Sequence, residues 1–284
     1  MPDLILKVDV DTFRGMKEGV PLITRTLDEH GLRASFFISF GPDRSGLAVL
    51  QLLRPAFLKK MIRTNAPGLY GWKTALYGTV LKAPMIGLAF PDTIRDLLHK
   101  GHEVACHAWD HRLWQDWLFL MTRRSIETWF QKMVAAYIHV TGKKPKAFGA
   151  PSWMMDERSL AIAARFDLAY LSCTRARSPF IFLENGMLEI PSNLPCIEEV
   201  GAEGVMDSLK QRSSDPFPQV LPVHAEVEGM MCSEVFEQIL NLAVRLGYRI
   251  RTLEEIALSL DRGTLPVRPL TMGLLPGRAF KCAV

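Results

Sequence analysis

The feature that most constrains this chain is the repeated alternation of short strand-like runs with helical segments. Leu4–Val10 reads as a strand, and Lys17–His30 has helical apolar spacing closed by Gly31. Ala34–Phe40 is β-rich, Asp92–Lys100 predicts a short helix ending at Gly101, and Glu103–Cys106 is strand-like. Ser125–Val140 predicts a helix stopped by Thr141-Gly142, Lys146–Ala150 a strand, Asp156–Phe166 a helix and Leu168–Ser172 a strand. Val220–His224, Ser233–Leu246 and Tyr248–Arg251 continue as strand, helix and strand, and Thr252-Leu253-Glu254-Glu255 fits a capping box opening a last helix. Such alternation predicts an α/β protein of βα units around a parallel sheet, open or closed as a barrel.

Composition excludes several other classes. With 48% hydrophobic and 23% charged residues, the 284-residue chain is neither disordered nor fibrous. Its longest apolar runs, such as Gly46–Leu53 and Ile256–Leu260, fall well short of the ~18 residues of a spanning helix. Five cysteines without a CxxC argue against a disulfide framework or a four-cysteine zinc site. Met1–Lys7 lacks the basic-then-apolar pattern of a secretory signal and leads straight into Asp9 and Asp11, so a cytosolic-side protein is expected. Two stretches break the rhythm. Residues 44–91 carry seven Lys or Arg and no Asp or Glu, amid many Leu, Met, Phe, Tyr and Trp, whereas 261–284 lacks periodicity and suggests an extended or mobile tail.

Three groups of residues can carry chemistry. Asp9-Val10-Asp11 ends the first strand, where side chains two apart share a face, so both carboxylates can enter one site; a loop-forming Asx pair is the competing reading. His107-Ala108-Trp109-Asp110-His111 follows another strand, and two histidines four apart on a helical turn can present nitrogens to one metal. Ala108 stands where a zincin would carry glutamate, and Asp11 would complete a two-His, one-carboxylate site with open positions. His224 ends a late strand, and is either a satisfied core histidine or a functional residue at the same kind of strand end as the other two clusters.

Val8-Asp9-Val10-Asp11-Thr12, His107–His111 and Val223-His224-Ala225 resemble the first, second and last motifs of the NodB-homology polysaccharide deacetylases. Within that superfamily the chain is most similar to the deformylases of the aminoarabinose lipid A modification pathway. The likeness runs through Asp9–Gly15, Glu18–Pro21, Gly41-Pro42-Asp43, Leu69-Tyr70-Gly71-Trp72, His102–Val104 and His224–Gly229, and covers residues 4–260. It implies a distorted (β/α) barrel and hydrolysis of 4-deoxy-4-formamido-L-arabinose linked to undecaprenyl phosphate. It also implies that Asp11, His107 and His111 hold a divalent metal (zinc first, with cobalt, manganese or iron as alternatives), that Asp9 is the general base and that His224 is the general acid. One departure stands out: the third motif, which in the family carries an Arg that orients the base, here reads Gly149-Ala150-Pro151-Ser152-Trp153, and no aspartate lies near Leu171-Ser172-Cys173-Thr174 for a fourth. Arg175 or Arg177 could compensate or be surface charges, with phosphate contact the preferred role for Arg175. Trp109, Trp153 and Glu226 are further candidates to contact substrate.

The basic stretch is read as a membrane-interfacial insertion of a domain spanning 1–260, with 261–284 as a C-terminal tail. Leu50, Leu53, Phe57 and Met61 fall on one helical side and Arg54, Lys59, Lys60 and Arg63 on others, while Trp72, Tyr70 and Tyr77 suit a membrane–water boundary. A core-packed helical excursion is the alternative. The expected partners are a polyprenyl-phosphate-linked sugar and an anionic inner-membrane surface met from the cytoplasmic face; no nucleic-acid module accompanies the basic residues. Competing functions are N-deacetylation of another lipid-linked aminosugar and, from a different class, a non-catalytic sugar-lipid binding module.

Overall fold

The computed structural model describes residues 1–48, 74–276, 278 and 280–284. The insertion residues Arg54, Phe57, Lys59, Lys60, Met61, Arg63 and Trp72 lie outside the described residues. β1 (Asp3–Val10) leads through a π-helical turn, Gly15–Gly19, into α1 (Val20–Glu29), β2 (Ser35–Ile38), α2 (Pro91–His99) and β3 (Glu103–Cys106). Next come α3 (His111–Trp117), α4 (Arg123–Thr141), β4 (Ala147–Phe148), α5 (Glu157–Ala163), β5 (Tyr170–Leu171), β6 (Phe180–Phe182) and β7 (Leu188–Glu189). α6 (Ile197–Arg212), β8 (Gln219–His224), α7 (Ser233–Arg245), β9 (Arg249–Arg251), α8 (Leu253–Ser259), β10 (Val267–Arg268), β11 (Met272–Gly273) and β12 (Cys282–Ala283) complete the chain.

The main sheet runs β10-β6-β7-β5-β4-β3-β2-β1-β8, parallel except at the β6/β7 pair, and is the mixed α/β architecture expected from the alternation. β1 is its axis. One edge pairs with β8 over Leu4–Asp9, while the other pairs with β9 over Asp3–Ile5 and with β2 over Lys7–Val10. The chain after β7 spans the gap between the sheet's two sides: Ser192 N–H donates to Thr174 O, and Leu194 N–H to Val220 O at 3.1 Å.

Strand alternation sorts the core into two clusters. Leu4, Leu6, Val8 and Val10 of β1 join Phe36, Ile38, Val104, Cys106 and Val223 beneath the outer helices. Ile5 faces the other way, with Phe37, Ala105, Tyr170 and Val220, and this interior is closed at one end by Leu253, Ile256 and Ala257 of α8. The predicted capping box opens α8, Glu255 N–H donating to Thr252 Oγ1 and Thr252 N–H to Glu255 Oε2. Two elements depart from expectation. The segment expected to be one helix over Lys17–His30 begins instead as the Gly15–Gly19 turn, because a Cβ on Gly19 would sit 1.9 Å from the Ala225 carbonyl oxygen and the chain must pass close there. The segment beyond Asp261 is extended but docked, β10 on β6 and β11 on β12, with Cys282 and Ala283 fully buried.

Gly19→Ala meets backbone that no side-chain rotation can move aside. We expect it to lower stability by about 1–3 kcal/mol, read as a reduced urea midpoint at unchanged slope.

Candidate metal centre and its acid–base flanks

Register brings the chemical residues to one rim. Val10, Ile38, Cys106 and Phe148 lie abreast across β1–β4. The next residue along each strand therefore falls in one row: Asp11, Ser39, His107 and Gly149. Asp9 stands one step lower, its Cα opposite that of His224 on β8.

Asp11, His107 and His111 converge, with one ligand atom from each lying within 4.8 Å of the others. Asp11 Oδ1 is 3.3 Å from His107 Nε2, and Oδ2 is 3.1 Å from His111 Nε2. The two histidines do not share a helical turn, as HxxxH spacing suggested. His107 prolongs β3, Ala108 turns the chain at φ 65°, Asp110 caps α3 by accepting from Leu113 N–H, and His111 is the first helical residue. A non-glycine residue held there costs of order 1–3 kcal/mol, and alanine has the smallest Cβ that could bear it. His107 Nδ1 lies 2.8 Å from Gly149 O. A carbonyl only accepts, so Nδ1 carries a proton donated to Gly149 O, which leaves Nε2 facing Asp11. Burial lowers His111 to about 4, leaving it neutral at pH 7, and the two imidazoles hold the Asp11 carboxyl well below the usual range although burial opposes its charge. Asp11 Oδ1 is buried with no hydrogen-bond partner. Two imidazole nitrogens and an ionised carboxylate with one unsatisfied oxygen are the donor set a divalent cation needs, so the residues fit a metal.

The flanks were only partly visible in the sequence. Asp9 is gripped by Lys7, whose Nζ lies 2.5 and 2.7 Å from the two carboxylate oxygens, and Lys7 is fully buried. Nothing in the expected motifs included Lys7, although its i, i+2 relation to Asp9 on a strand was the available signal. His224 Nδ1 lies 2.9 Å from Glu198 Oε1 at the start of α6. Burial opposes a charge on His224, but the Glu198 carboxylate outweighs it and holds the imidazolium well above the ordinary range. Glu228 Oε2 accepts the His224 backbone N–H.

Glu226 is turned to the loop after β1: its Oε1 accepts from Asp11 N–H, Thr12 N–H and Thr12 Oγ1. Gly15 leaves room for it, since a Cβ there would meet Glu226 Oε1 at 2.0 Å. Arg175 is occupied by protein partners. Its guanidinium bonds both oxygens of Glu199 and Leu194 O, and stacks 4.5 Å from the Trp153 ring, which Arg278 of the docked tail also meets at 4.7 Å. Trp109 packs its ring over Gly41, with Lys132 Nζ 5.8 Å from its centroid. Arg44, at the start of the basic insertion, reaches Asp110 at 3.0 Å, and the insertion's two ends are stitched together through Asp43 N–H to Pro84 O and Ile86 N–H to Gly41 O. Tyr77 lies edge-on to Phe13.

Glu189 is a buried carboxyl that the motifs did not include. Oε1 accepts from Cys173 and Thr174 N–H, whereas Oε2 has no partner, and burial raises its pKa to about 7. Below the ordinary value of 4.5 both folded and unfolded chains are protonated, and the contribution is complete. Between there and about 7 only the unfolded chain has released the proton, so stability falls as pH rises. Glu189→Gln keeps the acceptor and removes the ionisation; urea unfolding from pH 4.5 to 7 should show a decline smaller than wild type by roughly 2–3 kcal/mol.

Residues 8–171 match the polysaccharide deacetylase family model. A protein of Shewanella sediminis named "Probable 4-deoxy-4-formamido-L-arabinose-phosphoundecaprenol deformylase ArnD" is 36% identical over 242 residues, 83% of this chain and 79% of that one. A protein of the same name from Wigglesworthia glossinidia brevipalpis is 29% identical, over 93% of this chain and 96% of its own. Among solved structures, the Puue allantoinase superposes with a TM-score of 0.62 at 13% identity, covering 90% of this chain and 89% of its own. A peptidoglycan N-acetylglucosamine deacetylase does so with a TM-score of 0.56 at 14% identity, covering 89% and 86%. With a family match over more than half its length and a 36% identical relative, the chain belongs to the polysaccharide deacetylase family.

Proposed function

We propose that this protein is a metal-dependent deformylase. It hydrolyses the formamide of 4-deoxy-4-formamido-L-arabinose on undecaprenyl phosphate to formate and the free aminosugar lipid, the form used in lipid A modification. The observation that carries this reading is the flanking of one metal-type triad by two oppositely prepared groups, a Lys7-paired Asp9 and a Glu198-paired His224. The names of the two relatives support the substrate. A divalent metal held by Asp11, His107 and His111 would supply a Lewis acid and make water ionisable near neutral pH, with zinc the first choice for two nitrogens and an oxygen and cobalt, manganese or iron as alternatives.

The chain's own residues do the proton work. Asp9 takes the proton of the water that attacks the formyl carbon. His224, held cationic by Glu198, gives its proton to the departing nitrogen, because an amide nitrogen leaves poorly as an anion. The C–N bond breaks, formate leaves, and the sugar keeps its amine. Glu226 holds Asp11 and Thr12 through their amides, and Arg175, Trp153 and Arg278 pack together as further candidates to contact the substrate.

No helix among the described residues is long and apolar enough to cross a membrane. A substrate fixed in the bilayer then requires peripheral docking, which we assign to the basic stretch at the cytoplasmic face. Its stem, through Arg44 and Asp110, adjoins the second motif. Each basic residue near an anionic surface adds about 1 kcal/mol.

Incubation with formylated and acetylated lipid substrates, followed by mass spectrometry, should show loss of the mass of carbon monoxide from the first and no change in the second; the reverse pattern would make the protein a deacetylase. Asp11→Ala should lose bound metal and turnover together, whereas Asp9→Asn should keep metal and lose at least about 10²-fold in turnover. Vesicle flotation should show binding to anionic but not neutral liposomes, reversed by salt. Salt-insensitive or absent binding would remove the membrane assignment.

A further inference from the structure

We infer that Lys7 is the positioning residue of Asp9, and that its grip keeps Asp9 out of the metal's coordination shell. The inference rests on the deformylase reading for Asp9's role, but its geometry stands alone. Lys7 and Asp9 share one face of β1, and Asp11, one residue past its end, continues the same alternation, so the two carboxylates are neighbours at the rim. Only Asp11 turns to the histidines. Asp9 instead accepts from one ammonium on both of its oxygens, which fixes the carboxylate plane and uses one acceptor site on each oxygen, leaving the others for a proton.

The surroundings are built for this ammonium. The Phe37 ring centroid lies 4.6 Å from Nζ and that of Trp153 5.9 Å away. Gly149 makes the passage, since a Cβ there would sit 3.3 Å from Lys7 Cε and 2.6 Å from Phe37 Cδ1. The same glycine's carbonyl orients His107, so one backbone position serves both the Lys7 stem and a metal ligand. A buried ion pair is a poor device for stability compared with an apolar pair of the same volume. Its place one step below the triad points to use in the reaction.

The test compares Lys7→Met, Lys7→Arg, Asp9→Asn and the double variant Lys7→Met/Asp9→Asn, each loaded with Co(II). Lys7→Met leaves Asp9 free to swing onto the ion. It should therefore bind one cobalt per chain with an altered visible absorption spectrum, while the double variant returns to the spectrum of Asp9→Asn. Turnover in Lys7→Met should fall about a hundredfold with KM little changed, the scale of a misplaced catalytic group. Lys7→Arg, which keeps a two-pronged cationic donor, should recover part of the loss, and the double variant should be no worse than Asp9→Asn. If Lys7→Met is too unstable to purify, Lys7→Arg and the double variant, which leaves no unpaired buried charge, carry the comparison. A wild-type cobalt spectrum and near wild-type turnover in Lys7→Met would overturn the inference, as would losses that add in the double variant. Absence of deformylation by the wild-type enzyme would remove the functional reading instead, and the cobalt spectra would still decide whether Lys7 holds Asp9 off the ion.

Discussion

A cation and an anion buried together in the middle of β1 set the terms for the rest of this molecule. Lys7 and Asp9 are carried on a strand hydrogen-bonded along both edges, with no water-facing side to relieve either charge. Breaking such a pair by removing one member typically costs 3–5 kcal/mol, whereas keeping it contributes little. The neighbours that enclose it follow from that constraint. Phe37 offers a ring face, Gly149 withholds a side chain, and α8 plugs the far end with Leu253 and Ile256.

Above the pair, precision comes from backbone rather than from bulk. Ala108 accepts a left-handed conformation so that a strand can hand His107 and a helix start can hand His111 to one carboxylate. The two π-helical turns, Gly15–Gly19 and Val227–Met231, approach through Gly19 and Gly229, which would each place a Cβ within 3 Å of backbone. Their contact brings Glu226 under the Asp11–Thr12 amides and Glu228 under the amide of His224. Each glutamate thus fixes a backbone from which a chemical side chain projects.

Much of this was legible in the sequence, and the parts that were not share a cause. The β–α alternation, the strand-end positions of Asp9, Asp11, His107 and His224, and the Thr252 capping box all rest on local periodicity. The residues missed act across the sheet. Glu198 meets His224 from 26 residues away, and Glu189 serves the amides of Cys173 and Thr174 in a loop that shows no acidic residue of its own. Lys7 is the exception, because its partner is two residues along. A lysine inside a strand whose other side chains are buried contradicts its own hydrophobic pattern, and the nearby same-face aspartate resolves the contradiction. α6 went unread because Gly201, at φ 75°, interrupts it and blurs its spacing. Arg175 is another case: its partner Glu199 lies 24 residues further along the chain, beyond any local pattern.

The chain assigns different roles to identical residues by controlling their neighbours. Asp9 and Asp11 sit two residues apart on one face; one meets an ammonium, the other two imidazoles. His111 and His224 are both half-buried; desolvation, aided by His107 and Arg112 and opposed by Asp11, lowers His111 to about 4 and keeps it a neutral donor of a lone pair. His224 suffers the same burial, but Glu198 at 2.9 Å reverses the outcome and keeps it a donor of a proton. The proposed amide hydrolysis would need both forms at one pH, since a metal ligand must stay unprotonated while the leaving nitrogen must be protonated. A single fixed environment could not satisfy both demands. Placing the histidines on opposite sides of β1, one facing Asp11 across the β3 side and one backed by α6 beyond β8, is how a parallel sheet can supply two environments at one rim.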